Sequence, residues 1–113
     1  MRHLIFGQQG EKLALEYLKK HGVIIITKNF KNRFGEIDLI GKDNEQIVFF
    51  EVKRSKDIRF GFPEERVNAV KLNKIIKTGQ GFLIQNNLID NSWRIDVVSI
   101  QDKQIKWIKN ITN

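Results

Sequence analysis

Apolar and polar positions along this chain recur with two different periods, and each change of period marks an element. Over residues 7–21 the spacing is helical: Leu13, Ala14, Tyr17 and Leu18 share one face, and Lys12, Glu16, Lys19 and Lys20 lie away from it. Gly22 follows as a C-cap glycine. Residues 23–30 are short and β-branched, which predicts a strand. A polar turn over 31–35 leads to a second strand at 36–41. Lys42-Asp43-Asn44-Glu45 reads as a hairpin turn into a third strand, 46–53. Ile47-Val48-Phe49-Phe50 is apolar on both faces, as in a central strand covered on both sides.

The second half reads less cleanly. Residues 55–62 form an irregular, basic connection. Pro63, followed by Glu64 and Glu65, marks a helix start, since proline fits the first turn and acidic groups suit the positive helix end. That helix is expected to run to about Thr78, with Val67, Val70 and Ile75 in the core. Gly79 and Gly81 break or kink it, and residues 82–88 add a further helical stretch. Residues 93–100 are a strand on which Arg94 and Asp96 share a face. Residues 105–111 fit a strand or a short helix. The expected order is α-β-β-β-α-β plus a tail, an α/β sandwich on a mixed sheet within one domain spanning 1–113.

Two short stretches carry chemistry: Gly35-Glu36-Ile37-Asp38-Leu39-Ile40 and Glu51-Val52-Lys53. On a strand, positions i and i+2 share a face. Glu36 and Asp38 are therefore expected to project together, with Ile37 and Leu39 opposite, and Glu51 and Lys53 together, with Phe50 and Val52 opposite. If the strands pair, two or three carboxylates and an ammonium meet on one surface. That set suits a hard divalent cation and the activation of a water. A structural ion pair between Asp38 and Lys53 is the competing reading, because such networks also gather titratable groups.

Composition narrows the classes. The 113 residues suit one compact domain, and 41% hydrophobic residues with eight Phe and two Trp are enough for one core. No apolar run approaches a membrane span, and the first residues lack a secretory signal, so a cytoplasmic protein is expected. Without cysteine there is no disulfide, thiolate metal site or cysteine nucleophile. The net charge of +7 fits a polyanion partner, nucleic acid above all. Lys28, Lys31, Arg33, Lys42, Arg54, Lys56 and Arg59 surround the acidic stretches. Lys71, Lys74 and Lys77 form a basic stripe, which reads either as a solvated face or as phosphate contacts.

These residues resemble the PD-(D/E)XK nuclease superfamily, whose restriction-endonuclease-like core is α-β-β-β-α-β: a helix glutamate, a strand aspartate, then Glu-x-Lys at the end of the next strand. Ile37 stands where the superfamily's name has proline. Over nearly the whole chain the sequence is similar to the YraN-like family of bacterial proteins. Gly10-Glu11, Leu18, Gly22, Lys28-Asn29-Phe30, the two acidic stretches, Lys71 and Arg94-Ile95-Asp96-Val97-Val98 carry that likeness. The N-terminal half is also similar to archaeal Holliday-junction resolvases.

The resemblance implies a metal-dependent endonuclease acting on structured or branched DNA. Asp38 and Glu51, with the Val52 carbonyl, would hold Mg²⁺ or Mn²⁺. Lys53 would orient the attacking water or neutralise the phosphate. Glu11 would complete the acidic cluster, and Glu36 would support it from behind. Arg33, Arg54, Lys71 and Lys74 are the expected nucleic-acid contacts, with Lys71 reaching the site from the second helix. A non-catalytic nucleic-acid-binding or scaffold protein on the same fold is the alternative, and RNA processing is a third reading. The small size favours a homodimer or a partner, since one such unit offers little surface to duplex DNA.

Overall fold

The computed structural model describes residues 2–55 and 68–112. Among them the elements run α1 (Arg2–Lys20), β1 (Ile24–Asn32), β2 (Gly35–Asp43), β3 (Gln46–Ser55), α2 (Ala69–Gln85), β4 (Trp93–Gln101) and β5 (Gln104–Ile108). The strands form one sheet in the order β1-β2-β3-β4-β5. Pairing is antiparallel throughout, except between β3 and β4, which run parallel. The described residues thus form an α/β fold with a five-stranded mixed sheet and two helices, and within 105–111 the part up to Ile108 belongs to an edge strand, not a helix.

Two apolar layers hold the helices to the sheet. Ala14 and Leu18 of α1 pack with Leu39, Val48, Phe50, Val98 and Ile100. Ile75, Phe82 and Leu83 of α2 pack with Ile37, Ile40, Ile47, Phe49 and Ile95. Phe49 and Phe50 are adjacent in sequence and fall in different layers, so β3 separates the helices as its doubly apolar run predicts. Burial at about 25 cal/mol per Å² of apolar surface makes these layers the main source of stability.

Several expectations change. Leu13 is 38% exposed and Val70 is 68% exposed, so neither belongs to the core. Leu13 flanks the stripe of Ala14 and Leu18, and Val70, in the first turn of α2, lies on the side away from Ile75, Phe82 and Leu83. The helix start at Pro63–Glu65, the core position Val67 and the basic residues Lys56 and Arg59 lie outside the described residues. The described α2 begins after Asn68, whose side chain accepts from the Lys71 backbone N–H at 2.9 Å, an N-cap.

α2 also runs unbroken through Gly79 and Gly81 to Gln85. A Cβ on Gly79 would lie 2.6 Å from the Phe49 ring, so the glycine permits close helix–sheet packing and does not stop the helix. Gly22 does end α1, with a φ of 90°.

Candidate active site

The β2–β3 ladder pairs Leu39 with Phe50 and continues from there to the hairpin turn. Asp38 and Glu51, next in line, do not pair. The Val52 N–H instead donates to Asp38 Oδ2 at 2.8 Å. A side-chain carboxylate thus stands where a backbone carbonyl would continue the ladder, and the two strands part at this point. An antiparallel strand residue turns its N–H and C=O to the same side, so the Val52 carbonyl is also directed toward β2.

The β1 side is irregular at the same level. Register runs Phe30↔Ile37 and Lys28↔Leu39, while Asn29, opposite Asp38, has a φ of 53°. Asparagine tolerates this left-handed conformation better than most residues. The alternation of β2 loses phase here. Ile37 packs in the α2 layer and Leu39 in the α1 layer, so they are not on one face as strict period-two reading expects. Asp38 is released from a face and points between the strands.

Glu51 and Lys53 do share a face, the one covered by α2. The Glu51 side chain is only 8% exposed, and its Oε1 lies 3.4 Å from Lys53 Nζ and 2.7 Å from Lys71 Nζ. Glu11 comes from the α1 side. With the Asn29 amide oriented nitrogen-first, its Nδ2 reaches both Glu11 oxygens, at 3.1 and 3.0 Å. Glu11 and Asn29 also line a cavity of about 470 Å³ with Lys12, Leu15, Glu16, Lys28 and Leu39.

Electrostatics follow from this packing. Burial raises the Asp38 carboxyl from 3.8 to about 7, and the charges of Glu51 and Glu11 push the same way. The Val52 hydrogen bond and the Lys71 charge oppose them. Burial lowers the Lys53 ammonium, and its contact with Lys71 adds to the effect. Burial would lower Lys71 too, but its hydrogen bonds to Glu51 and Lys53 outweigh that and hold it above its usual range.

The other expected residues spread around this cleft. Arg54 lies against α1, its Cδ 3.3 Å from where a Cβ on Gly10 would stand. Lys74 is exposed on α2 and Arg33 is exposed at the β1–β2 turn, where its guanidinium covers the Phe34 ring at 4.7 Å. Glu36 is exposed and stands opposite Lys31 in register. Asn29 had no assigned role in the sequence reading. Its positive φ could not be read from a β-branched strand pattern. Ser99 and Gln101 were also missed. They are buried on the Lys53 face, Ser99 in register beside Lys53, and their side-chain oxygens and the Gln101 amide nitrogen have no hydrogen-bond partner among the described residues. Polar residues at every second place of an apolar strand were the available signal.

Among the described residues no three His, Cys, Asp or Glu side chains gather closely enough to form a metal cage. Mg²⁺ does not need one. It is commonly held by one or two carboxylates plus waters and substrate phosphate. Asp38, Glu51 and the Val52 carbonyl are all hard oxygen donors, and Glu51 and Glu11 act on Asp38 as negative neighbours beyond the effect of its burial. The residues present therefore fit such an ion.

Fold and site together define an α/β protein whose mixed sheet opens into a carboxylate–lysine cleft at the parting of β2 and β3. Residues 10–100 match Uncharacterised protein family UPF0102, the YraN-like family, and the chain belongs to it. A UPF0102 protein of Persephonella marina is 42% identical over 106 residues, covering 94% of this chain and 91% of that protein. UPF0102 proteins of Vibrio parahaemolyticus (42% identity, 92% of this chain and 88% of that one) and Clostridioides difficile (41%, 92% and 93%) are comparably similar. Among the described residues no helix is long and apolar enough to cross a membrane.

Proposed function

We propose that this chain is a Mg²⁺- or Mn²⁺-dependent endonuclease of the PD-(D/E)XK superfamily, on a restriction-endonuclease-like core, hydrolysing phosphodiester bonds of structured or branched DNA in the cytoplasm. The observation that carries this reading is the convergence at one strand parting of Asp38, Glu51, Lys53 and Lys71, with Asp38 replacing a ladder partner of Val52. A structural ion pair would have joined Asp38 to Lys53. Instead both lysines bind Glu51, and Asp38 is left with a raised carboxyl.

Asp38, Glu51 and the Val52 carbonyl would hold the ion. When bound, it supplies charge neutralisation at the phosphate and lowers the pKa of its water. Lys53 would orient the attacking water or neutralise the phosphate. Glu11, held by Asn29, adds negative charge on the α1 side. Lys74, Arg33 and Arg54 offer positive charge to the flanking backbone, and a second copy of the chain would widen the surface offered to a duplex.

One observation favours the second reading, a nucleic-acid-binding scaffold: Glu51 already has two ammonium partners from the chain itself. A cleavage panel decides between them, using branched, single-stranded and duplex DNA and RNA with Mg²⁺, Mn²⁺ or chelator. Metal-dependent cleavage should fall by at least roughly 100-fold in Asp38→Asn, Glu51→Gln and Lys53→Ala, since losing even an outer partner of a metal ligand commonly costs up to that much. Effects should be non-additive, because the three groups build one site. The scaffold reading expects no cleavage by the native protein under any metal, together with nucleic-acid binding that these substitutions leave largely unchanged.

A further inference from the structure

We propose that Lys71 is the resident counter-cation of Glu51, and that divalent metal and nucleic-acid phosphate together displace it from that carboxylate. The inference rests on the metal-site reading above and adds an exchange step to it.

A nearly buried carboxylate needs compensating charge at all times. In the structure Glu51 has it twice over, from Lys71 at 2.7 Å and Lys53 at 3.4 Å, both on Oε1. The two lysines differ in freedom. Lys53 is fixed on the same strand as Glu51 and its side chain is 19% exposed, whereas that of Lys71 is 41% exposed. The Lys71 backbone is pinned at the first turn of α2 by the Asn68 cap, so only its long stem needs to move.

A cation on Glu51 makes the Lys71 ammonium redundant and repels it. The displaced ammonium then needs an anion, and a phosphate entering the same cleft is the nearest kind on offer. Metal and nucleic acid should therefore bind with positive coupling, each raising the affinity for the other by the same factor.

The test measures Mn²⁺ affinity of the full-length chain by calorimetry, and affinity for a phosphorothioate DNA duplex with and without Mn²⁺. Lys71→Met should bind Mn²⁺ roughly three- to tenfold more tightly than native protein, a modest factor because the Lys71 head is partly in water. Its Mn²⁺–duplex coupling should shrink. Lys71→Arg keeps the charge and should show no gain. Lys20→Met, with the same change in net charge at the far end of α1, should match the native protein. Lys71→Gln serves as a second neutral variant if Lys71→Met unfolds. Native-like or weaker Mn²⁺ binding in both neutral variants, with native protein still binding Mn²⁺, overturns the exchange and leaves the metal site standing. Absence of Mn²⁺ binding in every form overturns both.

Discussion

At the Arg94 end of the sheet, Asp96 is fully buried and richly partnered. It accepts from Arg94 Nε at 3.0 Å, from the Trp107 indole at 2.8 Å and from the Asn110 backbone N–H at 2.8 Å. Arg94 in turn reaches Gln46 at 2.8 Å and Asp43 at 2.7 Å. Burial alone would lower Arg94, but its bonds to Asp96 and Asp43 raise it. At the Asp38 end the same residue types are placed differently. Three carboxylates act on one another, both lysines serve a single oxygen, and Asp38 has one backbone N–H. The first cluster ties β4, β5 and the C-terminal tail together. The second leaves Asp38 with a carboxyl raised first by burial and then by its acidic neighbours.

Stability should separate the two clusters most strongly. Asp96→Ala leaves Arg94 buried with a lost partner and is expected to cost about 3–5 kcal/mol, read from urea unfolding. Asp38→Asn keeps an oxygen for the Val52 N–H and removes a repelled charge, so the metal-free protein should be unchanged or more stable. Equal destabilisation by both would erase the contrast.

pH gives a finer test. The Asp38 carboxyl titrates at about 7 when folded, against 3.8 ordinarily. Between those values the folded protein keeps a proton that the unfolded chain has lost. Stability therefore falls as pH rises through that window and levels off above it. Asp38→Asn lacks this term. The Tm difference in its favour should open above about pH 4 and stop growing a little above pH 7. A difference that is flat with pH would show that Asp38 is not held protonated.

The smallest effect is on nucleic-acid binding. Lys74→Glu should reduce the slope of log affinity against log salt by roughly one unit, uniformly across sequences. Lys109→Glu, whose ammonium lies 3.8 Å from Asp43 and 4.4 Å from the Trp107 ring centre at the other end, should change it less. Equal changes would mean that net charge, not the cleft, governs binding.

Much of this was legible in the sequence because it depends on local period. The run Ile47-Val48-Phe49-Phe50 gave the central strand, and Glu51-Val52-Lys53 gave two charges on one face. What escaped depends on contacts distant in sequence. Gly79 looks like a helix breaker until Phe49 is set against it. Asp38 looks like one more outward residue of an alternating strand until Val52 and Asn29 interrupt the ladder. The basic stripe of α2 could not reveal that Lys71 pairs with Glu51 on β3.

The single parallel contact of the sheet bears on how the chain reaches this state. β1, β2 and β3 form a meander closed by short turns, whereas every β3–β4 pair joins residues 46 positions apart. Closing the longer loop costs more entropy, and distant pairing tends to come late. The hairpin should bring Asp38 and Glu51 together early, while both are still wet and their repulsion is screened. Docking of α2 and β4 then removes the water. The folding rate should accordingly slow as pH rises toward neutrality, by more in the native protein than in Asp38→Asn, with the difference residing in the late step that dries the cleft.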